Sequence, residues 1–159
     1  MPESYTEYLD PIALQGARIG YVPSMIGSNT TTVRFWEQAK ATLVAHGATV
    51  VEVNPSADFF RALGESSGST NEFKHDLNVY IANHLAQSTN LRLSPNTGMP
   101  AVTVPMGQSV AEDATIPGAA VNLEFLGRDY DEGTLIGLSY AFEQATHART
   151  SPALYGSLD

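Results

Sequence analysis

The sequence predicts an α/β domain, a mixed β-sheet of about four strands flanked by helices. Three observations carry this. Short apolar runs, β-branched or alternating and bounded by Gly or Pro, recur at Arg18–Val22, Ala48–Val53, Ala101–Met106 and Ala120–Leu126. Between and after them lie longer segments whose apolar residues recur at steps of three or four, the period of one helix face. The first two runs are joined by such a helical segment, which favours a right-handed parallel unit, whereas the last two are joined by a loop, which favours antiparallel pairing.

Taken in order, residues 1–17 form an approach segment in which Tyr5, Tyr8, Leu9 and Ile12 are free to pack, while Pro2 and Pro11 limit regular structure. The first strand, Arg18–Val22, stops at Pro23, and Ser24–Thr31 reads as a loop rich in Gly, Ser, Asn and Thr. A helix follows over Val33–His46, with Val33, Trp36, Ala39, Lys40, Leu43 and Val44 on its inner face and Gly47 placed to end it. Beyond the strand Ala48–Val53, a short helix is expected at Asp58–Leu63 and a turn at Gly64–Gly68. Ser69 with Glu72 then makes a capping-box pattern for a helix burying Phe73, Leu77, Tyr80, Ile81 and Leu85. The last helix, Glu132–His147, buries Leu135, Leu138, Phe142 and Ala145. Asp131 is placed to cap it, His147 and Arg149 complement its negative end, and Pro152 forbids much extension.

Composition narrows the function classes. The 159 residues suit one domain, 1–159, and no linker or repeat divides them. There are no cysteines, which removes disulfides, thiolate nucleophiles and cysteine-based zinc sites together. The formal net charge is −9, from 17 acids against 8 Lys and Arg, and a chain that acidic lacks the cationic cluster that phosphate backbones and anionic membranes require. No run approaches the roughly 18 apolar residues of a membrane-spanning helix, and the polar, acidic start is not a secretory signal. The default compartment is cytoplasmic.

Few residues suggest chemistry on their own. Ser66, Ser67 and Ser69 around Gly68 have the small, polar look of a nucleophile loop, but Ser and Gly occupy turns and caps for backbone reasons alone. A serine nucleophile needs a base in reach and oxyanion donors, and no Gly-x-Ser-x-Gly elbow is present to pair with His75, His84 or His147. Glu72, His75 and Asp76 share one helix face, yet a metal needs three or four convergent ligands and no His-x-x-x-His accompanies them. Pro23–Thr31 lies between a strand and a helix, as a phosphate loop does, but carries one glycine, Gly27, and no Gly-Lys-Ser/Thr. Asn96, Thr97, Gly98 and Met99 form the turn before the third strand, where Gly98 permits positive φ or close backbone approach and Met99 could line a pocket.

Three blocks in order at compatible spacing carry a resemblance. They are Ser-Pro-x-Thr-Gly-Met-Pro-Ala-Val-Thr-Val-Pro-Met-Gly over 94–107, Gly-x-x-Val-x-Leu-x-Phe-Leu-Gly-Arg over 118–128, and Asp-Glu-Gly-Thr-Leu with Tyr-Ala-Phe-Glu-Gln-Ala-Thr over 131–146. Together they resemble the C-terminal end of the amidase signature family, the serine amide hydrolases. Tyr-Thr-Glu-Tyr-Leu-Asp at 5–10, Leu-Gln-Gly-Ala-Arg-Ile-Gly at 14–20 and Glu-Phe-Lys-x-Asp-Leu-Asn-x-Tyr at 72–80 also resemble family segments.

The resemblance implies part of an α/β/α sandwich and carboxamide C–N hydrolysis without a cofactor. In the family the nucleophile is a serine in a Lys–cis-Ser–Ser triad within a Gly-rich segment of the N-terminal half. No counterpart of that segment is found in these residues, so no catalytic residue is assigned. The chain is expected to begin just after the signature region and to be inactive alone. Between the Leu-Asn-x-Tyr helix and Ser94 only a short link remains where the family has a long, pocket-building stretch. The resemblance places Asn96, Thr97, Gly98 and Met99 on the side facing the family's catalytic centre, as substrate-pocket candidates; Arg128 and Asp129 are similarly placed but read as a structural cap or salt bridge. A sheet shortened in this way leaves an edge, so the expected partner is a second copy of the chain or the missing catalytic half. The alternative is a non-catalytic binding or scaffold module derived from an amidase.

Overall fold

A computed structural model describes residues 4–64, 94, 98–110 and 118–150. A 3-10 turn at Tyr5–Tyr8 opens the chain. Strand β1 (Arg18–Tyr21), the short helix α1 (Pro23–Ile26), helix α2 (Thr30–Ala45), strand β2 (Thr49–Glu52) and helix α3 (Ala57–Gly64) follow. Strands β3 (Ala101–Gln108) and β4 (Ala120–Leu126) and helix α4 (Glu132–Thr146) complete it. The helix expected from Ser69 lies outside the described residues.

Among the described residues there are four strands, and they form two ladders of two. β1 and β2 run parallel, Ile19 opposite Val50, with α2 as the crossover. β3 and β4 run antiparallel, with Val102 opposite Phe125 and Val104 opposite Leu123. Those four side chains, spaced by two, share the inner face, and the alternate residues Thr103, Asn122 and Glu124 share the other. Met106 is the extra residue of a bulge between Pro105 and Gly107. The bulge explains how a proline is tolerated mid-strand. Gly107 has φ 148°, and a Cβ there would overlap the Phe35 ring, so α2 sits directly on the bulge.

One core joins the two ladders. It consists of Leu14, Ala39, Leu43, Ala48, Val104, Leu123, Phe125, Leu135, Ala141 and Phe142. Phe142 meets Phe125 edge to face, centroids 6.4 Å apart. Phe142 and Leu43 are 1% and 0% exposed.

Four details differ from the expectation. Ser24–Thr31 is mostly helical. Pro23 takes the first position of α1, where its missing N–H costs nothing, and Asn29 starts α2 by accepting from the Thr31 and Thr32 N–H groups at 2.9 and 3.2 Å. On α2, Val33 and Val44 face solvent while Thr31 is buried, so the true inner stripe runs through Thr31, Ala39 and Leu43. Asp131 occupies the first cap position of α4 but its side chain makes no cap bond. At the other end, His147 closes α4 in a left-handed conformation, its N–H donating to the Glu143 carbonyl. In the approach segment the buried residue is Leu14, whereas Tyr5, Leu9 and Ile12 are exposed. Tyr8 lies against Gly133, where a Cβ would overlap its ring, and its carbonyl abuts Gly137. These two glycines let the N-terminal segment lie flat on α4.

Candidate functional site

The antiparallel register of β3 and β4 decides which loops meet. Ala101 opposes Leu126, so the turn that begins β3 and the turn that follows β4 emerge side by side. The Gly127 N–H donates to the Pro100 carbonyl at 3.0 Å and ties them together. The first turn closes on itself, with the Gly98 N–H donating to the Ser94 carbonyl at 2.9 Å and the Ser94 hydroxyl to the Met99 carbonyl at 2.7 Å. Gly98 has φ 72°, and no described atom lies within 4 Å of where a Cβ would be, so the backbone conformation is the reason for glycine there.

In the second turn the Asp131 N–H donates to the Arg128 carbonyl at 3.1 Å. Tyr130 is held at φ 65°, uncommon for a residue with a Cβ, and is 94% exposed. Gly127 keeps the chain close to Leu135, whose side chain would lie about 3.1 Å from any Cβ added there.

Between the two turns lies a recess of about 390 Å³ lined by Gly98, Pro100, Asp129, Tyr130 and Glu132. Its described lining offers two carboxylates, which accept, and a phenol, which can donate or accept, at the start of α4. Such a wall can orient a ligand's N–H groups; no serine stands among these described lining residues. Met99, expected as a pocket residue, is 37% exposed and is not among the lining residues. Asn96 and Thr97 lie outside the described residues. Of the lining residues the sequence singles out Gly98 as a pocket candidate and Asp129 only as a cap or salt-bridge residue, and it does not mark Pro100, Tyr130 or Glu132, although the expected strand pairing already places the start of one strand beside the end of the other.

The remaining candidates separate. Ser66, Ser67, Ser69, Glu72, His75, Asp76 and His84 lie outside the described residues. At Pro23–Thr31 the Asn29 carboxamide already accepts two of the N–H groups that a phosphate would need. Among the described residues no group of three His, Asp or Glu side chains is placed to hold a metal. No described helix is long and apolar enough to cross a membrane. A second hollow of about 260 Å³, between α2 and α4, is lined by Phe35, Ala39, Met106, Phe142 and neighbours with no titratable group. Glu124, half-buried on the outer face of β4, has its carboxyl raised above the ordinary 4.5 by burial.

No family model matches the chain. Curated relatives do. The A-type subunit of glutamyl-tRNA(Gln) amidotransferase from Thermoanaerobacter pseudethanolicus is 32% identical over 80 residues, 50% of this chain and 14% of that protein. Its counterpart from Enterococcus faecalis is 30% identical over 112 residues, 67% of this chain and 20% of that protein. The homologues of this chain are members of the amidase signature family. Solved amidases share the fold. A peptide amidase crystallised with the competitive inhibitor chymostatin superposes with a TM-score of 0.62 at 23% identity, over 94% of this chain and 48% of that one. An amidase family protein from Bacillus anthracis superposes with a TM-score of 0.60 at 16% identity, over 92% of this chain and 42% of that one. The chain thus spans less than half of the amidase structures that it matches, and its aligned part is a fifth or less of these two curated relatives.

Proposed function

We propose that this chain is the C-terminal portion of an amidase-like hydrolase acting on carboxamide C–N bonds, and that residues 1–159 form one domain of it. In this reading it supplies a wall of the substrate pocket, formed by Asn96, Thr97, Gly98 and Met99 with the Asp129–Glu132 turn, and not the nucleophile. The observation that carries the reading is the convergence of the Gly98–Pro100 and Asp129–Glu132 turns on one recess, in a chain homologous to amidases. A serine acyl-enzyme needs a nucleophile, a base and oxyanion donors. The described lining of the recess offers carboxylates but no serine; in this reading the catalytic serine lies in another polypeptide segment and the chain is inactive alone. It therefore associates with that segment or with a second copy of itself. Two relatives named as subunits of an amidotransferase are consistent with a partnered existence.

Ammonia release from a panel of small carboxamides tests this. The purified chain is expected to give the buffer rate, and the variant with Ser66, Ser67 and Ser69 all changed to Ala the same rate. Hydrolysis by the chain that disappears in the triple variant would mean that these serines form a nucleophile loop, and would overturn the assignment.

A further inference from the structure

The candidate recess stands at the start of α4, and that start lacks the usual local supports. Asp131 holds the cap position at φ −101° and ψ 24°, not the extended conformation from which a cap side chain reaches the first turn, and it makes no cap bond. Tyr130 before it is held at φ 65°. Gly133 follows in the first turn, and glycine favours a helix less than alanine does. Local sequence therefore leaves the Asp129–Glu132 turn weakly determined, and most helical stability in such a case comes from tertiary contact.

The approach segment supplies that contact. The Tyr8 ring covers Gly133, where a Cβ would overlap it. One turn further on, a Cβ at Gly137 would lie 3.1 Å from the Tyr8 carbonyl oxygen and 3.3 Å from the Ala13 side chain. Residues four apart share a helix face, so the two glycines make one groove beneath the segment. Neither is among the glycines with positive φ, so the backbone does not require glycine at either position; the segment lying on them does. The segment is fixed on both sides of Tyr8. Leu14 is buried in the core, and Ser4 and Glu7 form a reciprocal cap on the turn that carries Tyr8.

We propose that Tyr8 is a positioning residue for the candidate pocket. Seated on Gly133, it takes the place of the missing cap and fixes the turn that presents Asp129, Tyr130 and Glu132 to the recess. This role rests on the reading above that the recess is part of a substrate pocket. Tyr8 is not among the lining residues and acts only through α4. The contact is made by ring carbons, so the ring and not the hydroxyl performs it. It also inverts an ordinary rule. Alanine in place of glycine strengthens a helix by propensity, but at 133 its Cβ displaces the ring and loosens the start of α4.

Amide hydrogen exchange of the full chain, read by NMR, tests this. The Asp131 N–H donates to the Arg128 carbonyl and the Leu135 N–H to the Asp131 carbonyl, so these amides report the turn and the first helical bond. The paired amides of the β3–β4 ladder report global opening. Tyr8→Ala and Gly133→Ala are each expected to lower protection at Asp131 and Leu135 about tenfold relative to the ladder, and to shift the Tyr130 and Glu132 resonances. Tyr8→Phe is expected to leave both readings unchanged. In the Tyr8→Ala background, Gly133→Ala is expected to reverse its sign and raise Leu135 protection about two- to fivefold.

A Gly133→Ala chain that keeps or gains Leu135 protection overturns the proposal. So does a loss shared equally by the ladder, or Tyr130 and Glu132 resonances that stay in place, because Tyr8 then adds stability without positioning the recess. If Tyr8→Ala does not fold, Gly133→Ala and Tyr8→Phe decide the matter by the same readings. None of these readings depends on hydrolysis, so the amidase reading stands or falls separately, on ammonia release.

Discussion

The β3–β4–α4 half and the β1–α2–β2 half are built from the same kinds of element, yet they are stabilised differently. In the first, strands of eight and seven residues carry a continuous inner face, and Val104, Leu123, Phe125, Leu135, Ala141 and Phe142 are all buried. In the second, four-residue strands are covered by a helix that buries only Thr31, Ala39 and Leu43, with Val33 and Val44 in solvent. Tyr21 links its elements instead, its ring against that of Trp36 at 4.9 Å and tilted by 40°, with the Lys40 ammonium 5.1 Å from its ring and its hydroxyl donating to Glu52. The candidate recess therefore stands on the more deeply packed half. Loops that must hold a geometry gain from a rigid base.

The comparison is broken most directly at one large, fully buried side chain in each half. Phe142→Ala removes the edge-to-face partner of Phe125 and is expected to cost about 3–5 kcal/mol, Leu43→Ala about 2–5 kcal/mol. Urea midpoints that rank Leu43→Ala as the costlier change would mean that the parallel half carries the stability.

The junction of the halves comes next. Gly107→Ala forces a Cβ into the Phe35 ring at a backbone conformation that favours glycine, and is expected to cost about 1–3 kcal/mol. Phe35→Ala in the same chain should recover part of that loss. Strict additivity in the double-mutant cycle would show that backbone strain alone is responsible.

A smaller effect is expected from Asn29→Ala, which leaves the Thr31 and Thr32 N–H groups without their acceptor and should lower thermal stability by about 1 kcal/mol. An unchanged melting temperature would show that α2 is held by its inner face alone.

The smallest is a pH effect at Glu124. Its folded carboxyl is raised above the ordinary 4.5, so the folded chain binds this proton more tightly than the unfolded chain does. The group therefore favours folding most below that value, and this contribution declines as pH rises through the window just above it. Glu124→Gln should flatten stability across that window and leave the chain slightly more stable at neutral pH. A slope unchanged by the substitution would assign the pH dependence to other carboxylates.

Much of the fold was legible along the chain. Ala120–Leu126 begins and ends where the alternation does, and the parallel and antiparallel pairings follow from whether a helix or a loop joins the strands. Ser24–Thr31 was misread because its polar composition hides two local signals, Pro23 at a helix start and Asn29 as a cap, which act through geometry. Of the recess lining only Gly98 stands out along the chain as a pocket candidate, because a glycine in a strand-entry turn is a local signal, whereas Pro100, Asp129, Tyr130 and Glu132 join it only through strand register.

Residue identity and near-neighbour spacing were enough to set the order and pairing of the four strands, the place of the long helices after β1 and β4, the homology to amidases and two bare facts of composition, no cysteine and no Gly-x-Ser-x-Gly elbow. Tertiary packing was needed to lay Tyr8 on Gly133, to rest Phe35 on Gly107, to sort the four strands into two ladders among the described residues, and to close two turns about thirty residues apart around one recess. Each of these depends on which surfaces meet across long sequence separations, and close packing sets those contacts by shape, which no local pattern encodes.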